Sequence, residues 1–516
     1  MASTPLQENW VIENVPEDVW QDIFKMAILD DPDIDAASRT TRTVEKSLYL
    51  SHVCSRFYNI IADVPDLWTD IVLRMDQYGN SSPKERLIIL AFKRASTKPL
   101  TLSLAYSLVK INLGYNAPSA YLGSNIPSSL SRKIVLTSFV HFALNVHRAK
   151  YLRIDAHLLN TTCIRNFAVN KTLVSRAASD CIFVNRHAPL LEKLELVGSL
   201  RRPAPEEYEI GLYVKGLAPF LRRAVQMSPK LHTLVLRRPL AGQPVMIHDP
   251  QIYCHTLVNL DVSEGCMPAS ELYLILSSAG ALARCKIGRL VGTIPSRARA
   301  RYLPSLRELF LVGSSHTTDY ARSPPLTHFL SFVKAPSLKT LVLRRDREWL
   351  QQYFLLFITH SAFSLEHLVL DREQSTEQQK LEFLCLLPNL KFLEIHSMFD
   401  SDKNPGIGPH HLTDAFAKCL TTWDVSRGEF SICPRLESFG YDKNGVEVDA
   451  DDPVLSSMIE YRWNGAPGRR YLKAVSVCGV GRCSLYDIQR LLVLQKEGLD
   501  VTFYEPPCSK KFICRE

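Results

Sequence analysis

The sequence predicts an α/β protein in which a small N-terminal helical module is followed by a long, irregular array of strand–helix units on a parallel sheet. Three observations predict it. The phrase L-x-x-L-x-L, with apolar variants, recurs ten times between Leu191 and Val477. Segments of helical spacing separate the phrases, and strand–helix units in series close with parallel strands. Residues 14–63 carry two amphipathic stretches led by helix-start chemistry. At 516 residues the chain is too long for one compact core. The pattern divides it into a helical module over 1–75 with a polar insertion at about 29–46, a connecting region over 76–148, repeats over 149–504 and a tail over 505–516.

In the module, Asn14 is a helix-capping residue, Pro16 suits a first turn, and Glu17 and Asp18 face the positive end of the helix dipole. Val19 with Ile23, and Trp20 with Phe24, are i,i+4 pairs that widen one apolar face. SLYLSHVCSRFYNIIAD follows as a second helix, with Leu50, Val53, Cys54 and Phe57 at i, i+3, i+4 and i+7. Pro65-Asp66 then breaks the chain ahead of Leu67-Trp68 and a strand-like DIVLR. The insertion between the helices is polar and aperiodic and is expected to loop out. Its Asp31-x-Asp33-x-Asp35 lacks the Gly and Glu of a calcium loop, with Ala36 and Arg42 in their places, and reads as a solvated acidic loop.

These residues, V-P-x-x-V-x-x-x-I-F, then L-x-x-V-C-x-x-F, then P-x-L-W, resemble an F-box of the form common in mushroom-type fungi. The resemblance covers roughly residues 14–75. It implies a three-helix module that docks onto the Skp adaptor of a cullin–RING ubiquitin ligase. By matching position it assigns Val15, Pro16, Val19, Ile23 and Phe24 to a first docking stretch, and Leu50, Val53, Cys54 and Phe57 to a second. Val15 stands where the family has Leu, and Phe57 where it has Trp.

In the connecting region, Lys84–Arg94 has helical spacing, and Leu100, Leu102 and Leu104 alternate with Thr101 and Ser103 as in a half-buried strand. A long surface loop over about 113–131 follows. The repeat phrases begin at Leu191, Leu231, Leu257, Leu282, Leu306, Leu338, Leu365, Leu390, Leu436 and Leu472. A proline often stands two residues ahead, as at Pro189, Pro229, Pro304, Pro336, Pro388 and Pro434. Central spacings of 26, 25 and 24 residues are those of leucine-rich repeats, and the stretch resembles a degenerate leucine-rich-repeat solenoid. LYLILSSAGALA, LTHFLSFVKA, YFLLFITH and KLEFLCLL are its expected helices. Such repeats place Asn or Cys eight residues after the first Leu. Here that position holds Asp346, Glu373 and other types, so the backbone-satisfying ladder is expected to be missing.

With the leucines inward, alternate side chains line an open, concave face. Its candidate target-binding residues are Arg237, Asp261, Arg284, Lys286, Glu308, Phe310, Arg344, His367, Asp371, Phe392, Glu394 and His396. Both charge signs with aromatic anchors suit protein recognition, whereas tracking of nucleic acid calls for a uniformly basic surface. Residues 1–75 hold 6 Lys and Arg against 13 Asp and Glu (net −7), and the remainder 55 against 40 (net +15). That excess is scattered in pairs rather than gathered in a tract, which argues against nucleic acid as the partner.

No apolar run approaches the length of a membrane span, so no membrane partner is expected. The first twenty residues carry no secretory or transit signal, and thirteen scattered cysteines suit reduced, buried thiols. The expected location is cytoplasmic or nuclear. Cys478-GVGR-Cys483 and Cys508-SKKFI-Cys514 lack the companion pairs of a zinc site, and His410-His411 lies in a Gly/Pro-rich loop. No phosphate-binding loop and no nucleophile–base arrangement occurs. No catalytic residue, cofactor or metal is therefore expected. The two resemblances together imply a substrate-recognition subunit of a Skp–cullin–F-box type ubiquitin ligase with an unknown target. The alternative is a leucine-rich-repeat interaction scaffold whose helices are only a structural cap.

Overall fold

The computed structural model describes residues 15–29, 47, 49–76, 85–107, 142, 144–155, 188–197, 226–237, 254–313, 324–346, 348–361, 364–396, 414–442, 454–465, 471–478 and 485–504. The acidic loop, the loop at 113–131, His410-His411, Cys483, Cys508, Cys514 and the tail lie outside them. The chain forms two compact units, whose described residues are 15–237 and 254–504. Each is mixed α/β around a parallel sheet.

In the first unit, helix α1 (Glu17–Leu29) and helix α2 (Ser55–Asp63) precede a 3-10 turn at Pro65–Trp68. Then come β1 (Asp70–Asp76), α3 (Glu85–Arg94), β2 (Leu100–Ser107), β3 (Ala149–Asp155), β4 (Lys193–Val197) and β5 (Thr233–Arg237). The five strands pair in parallel in chain order up to β5, with one register shift at Leu100/Thr101. The sheet thus begins at Asp70, upstream of the point where the repeat phrases start. The helices are anchored on it by Trp68, which is buried, donates from Nε1 to the Ile61 carbonyl (2.7 Å) and lies under the Arg94 guanidinium at 4.6 Å.

The second unit holds β6 (Asn259–Pro268), α4 (Ala269–Ser278), β7 (Arg284–Val291), β8 (Arg301–Tyr302), β9 (Glu308–Val312), α5 (Leu326–Leu330), β10 (Val333–Lys334), β11 (Thr340–Arg344) and α6 (Gln351–Ser361). It continues with β12 (His367–Asp371), α7 (Glu377–Leu384), β13 (Phe392–His396), α8 (Asp414–Thr421), β14 (Trp423–Asp424), β15 (Glu429–Phe430) and β16 (Ser438–Asp442). It ends with α9 (Val454–Asn464), β17 (Ala474–Cys478), α10 (Leu485–Lys496) and β18 (Asp500–Tyr504). Nine strands form its parallel sheet, in the order β6-β7-β9-β11-β12-β13-β16-β17-β18. The short β8/β10 and β14/β15 pairs stand apart from it.

All ten phrases are strands, and one local rule places eight of them. The residue three before the first Leu accepts that Leu's amide, as in Leu191 to Ala188, Leu231 to Ser228, Leu306 to Leu303, Leu338 to Ala335, Leu390 to Leu387 and Leu436 to Cys433. The preceding proline is therefore the second residue of a β-turn, where its fixed φ costs nothing. The next two amides bond one carbonyl of the previous rung, as Lys339 and Thr340 do to Arg307. Register follows, and leucine stacks on leucine: Leu309, Leu341, Leu368 and Leu393 are successive partners, all buried. Each contributes about 2–3 kcal/mol by leaving water.

Several expectations need correction. The second helix is not continuous: His52 and Val53 turn, Cys54 is extended (φ −158°, ψ 166°), and its thiol accepts the Phe57 amide at 3.4 Å as the cap of α2. Pro16 precedes α1 and accepts its first helical hydrogen bond, from Trp20. LTHFLSFVKA splits into α5 and β10, because Val333–Lys334 pairs with Arg301–Tyr302. The eighth-position role is filled at two successive rungs. Asp346 accepts the amides of Leu326 (3.1 Å) and Thr327 (3.2 Å), and Glu373 accepts that of Ser375 (2.5 Å) while meeting Lys380 at 2.9 Å. Carboxylates here do what Asn does elsewhere.

Burial pushes the Asp346 carboxyl up to about 7, the two amides pull it back, and Glu373 pushes it further. The folded state therefore holds a proton that the unfolded chain has lost, and stability from this group falls as pH rises from about 4 to about 7. Asp346→Asn removes this titration, at a pH-independent cost because its amide nitrogen cannot accept the second main-chain amide. In thermal melts it should therefore gain on the wild type by on the order of a few kcal/mol between pH 4 and pH 7, with no further gain above that.

Candidate functional site

The described residues offer two surfaces. The first is on α1 and the turn before α2. Trp20, Phe24 and Phe57 form an aromatic core, with ring centroids 4.7 Å (Trp20–Phe57) and 4.9 Å (Phe24–Phe57) apart. With that face of α1 turned inward, Val19, Ile23 and Met26 recur at i, i+4 and i+7 on the outward face, and Val19 is 43% exposed. Val53, 59% exposed, and Tyr49 add apolar surface from the turn before α2.

This sorts the nine sequence candidates. Pro16, Val19, Ile23 and Val53 are exposed. Val15, Leu50 and Cys54 are half-buried; the Val15 carbonyl accepts from Arg56 Nη2 at 2.8 Å, and Cys54 is committed to its cap. Phe24 and Phe57 are corrected: at 3% and 7% exposed they hold the helices together and present nothing outward. Met26 and Tyr49 are exposed residues that sequence reasoning missed, though the i+7 spacing from Val19 was a signal for Met26.

The second surface is the sheet face opposite the leucines. In the second unit Asp261, Lys286, Glu308, Phe310, Arg344, Asp371, Phe392 and Glu394 are half-buried on it, and Arg284 and His367 are exposed. In the first unit Arg237 is exposed and faces Glu195 at 3.4 Å. His396 is the correction: it is buried, with Nε2 against Glu394 Oε1 at 2.5 Å. Aromatic and cationic groups are ordered along this face. His367 stacks on Phe392 at 5.4 Å and 21°, and Arg344 lies over Phe310 at 5.1 Å. Tyr504 donates to Glu394 Oε1 at 3.2 Å. Burial opposes ionisation of Glu394, but hydrogen bonds from His396 and Tyr504 outweigh it and hold the carboxyl below its usual range. Burial first, then the Glu394 charge, pushes the Tyr504 phenol well above its usual range.

Gly440, on the strand between Glu394 and Ser476, is required by that arrangement. A Cβ there would stand 2.6 Å from Ser476 Oγ and 2.9 Å from Glu394 Cγ. Gly288 is required in the same way, because the bulge between Val262 and Cys266 brings the Ser263 carbonyl onto it.

The buried thiols are poorly disposed to nucleophilic work. Desolvation holds Cys285 and Cys433 protonated, each pushed up to about 12, and Cys254 up to about 11. Among the described residues no group of His, Cys, Asp and Glu is arranged to hold a metal ion, and no helix is long and apolar enough to cross a membrane. The chain matches no protein-family model and no curated protein.

The division of the helical module into core and ridge is testable by denaturation followed by tryptophan fluorescence. Phe57→Ala should cost about 3 kcal/mol or more, whereas Val53→Ser should change stability by less than about 0.5 kcal/mol.

Proposed function

We propose that this protein is a substrate-recognition subunit of a Skp–cullin–F-box type ubiquitin ligase. Its N-terminal helices, an F-box-like module, would bind the Skp adaptor. The parallel strands of each unit, read as degenerate leucine-rich repeats, would hold a target protein. The observation that carries this reading is the outward apolar ridge of Val19, Ile23 and Met26, with Val53 also exposed, on helices joined by their own aromatic core. An apolar helix face that its own fold leaves uncovered suits a partner's groove. The chain itself would do no chemistry. Transfer would follow from proximity, because a held target offers its lysines to a partner's catalytic centre at high effective concentration.

A second reading, a scaffold whose helices only cap the sheet, is favoured by a different contact. Trp68 beneath Arg94 ties the helices to the β1–β2 layer. A cap needs that contact but not the ridge.

Capture by purified Skp adaptor separates the two. Val19→Asp with Ile23→Asp should abolish capture, while the melting temperature shifts by no more than a few degrees because both side chains are exposed. Failure of the wild-type chain to capture the adaptor would leave only the scaffold reading.

A further inference from the structure

On the open face of the second unit, β11 and β12 end in Arg344 and Asp371, and each is followed by another arginine, Arg345 and Arg372. The Asp371 carboxylate is shared: Arg344 Nε lies 3.7 Å from one oxygen and Arg372 Nε 3.6 Å from the other. Arg345 joins them. Burial, then the charge of Arg372, lowers its pKa from the ordinary value, and Arg344 adds to this while Asp371 opposes it. Three like charges thus sit in Coulomb range around one carboxylate.

Among the described residues, neighbouring acids offset this only in part. Glu373 is committed to Lys380 beneath the surface, Glu394 is held chiefly by His396 and Tyr504 with Arg344 adding a smaller influence, and burial favours the neutral form of Asp346. The backbone sharpens the point. Arg345 and Arg372 both have φ of 57°, the left-handed region where glycine sits most cheaply. Two successive rungs therefore keep arginine where conformation and mutual repulsion both disfavour it, and strain of this kind gathers at ligand-binding positions.

We propose that Arg344, Arg345 and Arg372 bind a carboxylate-rich (Asp and Glu) segment of a partner protein, with half-buried Phe310, Val342 and Val369 taking an apolar residue of the same segment. Arg344 lies over Phe310, which joins the cationic edge to the apolar stripe. This deepens the target-binding reading of the face and rests on it only in placing the carboxylates on a partner.

The test is fluorescence anisotropy with the full chain and a labelled decapeptide of alternating Glu and Phe, beside a Lys–Phe counterpart. Wild type should bind the Glu peptide alone, with affinity falling as salt rises from about 50 to about 300 mM. Arg345→Gly with Arg372→Gly should raise the melting temperature by relaxing both turns, yet weaken binding by about tenfold or more. Arg344→Gln, which leaves the turns alone, should weaken it as well. The proposal is overturned if the Glu peptide fails to bind wild type at low salt, if the Gly variant binds it undiminished, or if only a phosphoserine peptide binds. A lower melting temperature for the Gly variant would make the arginines structural and overturn it too. None of these readouts involves the adaptor, so loss of adaptor capture leaves them standing.

Discussion

Each rung is governed by one constraint: the leucines at the first, fourth and sixth positions of the phrase must leave water together. In a helix those positions would spread around the axis. In a turn followed by a strand they fall on one side, because the strand alternates its side chains with a period of two residues. Once Leu338, Leu341 and Leu343 are buried against Leu306, Leu309 and Leu311, the residues between them have nowhere to go but the opposite face. The open surface is thus a by-product of the core, and its composition is free to serve recognition.

That constraint explains what was legible in the sequence. Every phrase became a strand because its apolar pattern, the proline that precedes six of the ten and the next rung's leucines agree on one geometry. The break at Cys54 was not legible. Leu50, Val53, Cys54 and Phe57 keep helical spacing across it, and cysteine is not among the usual capping residues, so nothing in the pattern marks the extended residue. The membership of β1 and β2 in the sheet was hidden for a similar reason, since neither strand follows the full phrase. In α1 the pattern marks an apolar side without saying which residues face inward. Ile23 and Phe24 are adjacent, and only the packing of Trp20, Phe24 and Phe57 decides that Phe24 is core and Ile23 surface.

The eighth position teaches a related lesson about polar groups. A residue-type ladder was expected to be missing, yet the backbone still had to be satisfied. Asp346 and Glu373 answer the need by accepting main-chain amides from inside the fold, each in its own way. Glu373 is balanced by Lys380, whereas burial pushes the Asp346 carboxyl toward its neutral form. The physical requirement is conserved from rung to rung within this chain even where the residue is not.

Charge is also distributed unevenly along the strands of the second unit. Just before the strands, side chains alternate in sign across neighbouring rungs: Lys339 meets Glu366 at 3.1 Å, Lys391 meets Glu366 at 2.8 Å, and Lys473 meets Glu437 at 2.8 Å. Exposed pairs of this kind add little stability, and the three lysines still outnumber the two glutamates by one. At the other end of β11 and β12 the arginines outnumber their carboxylate, and two of them hold left-handed backbone. Both edges therefore carry more cations than anions among these residues, and what differs at the β11–β12 edge is the left-handed backbone of Arg345 and Arg372. The backbone cost of keeping arginine rather than glycine at those two turns, more than the count of charges, is what sets that edge apart.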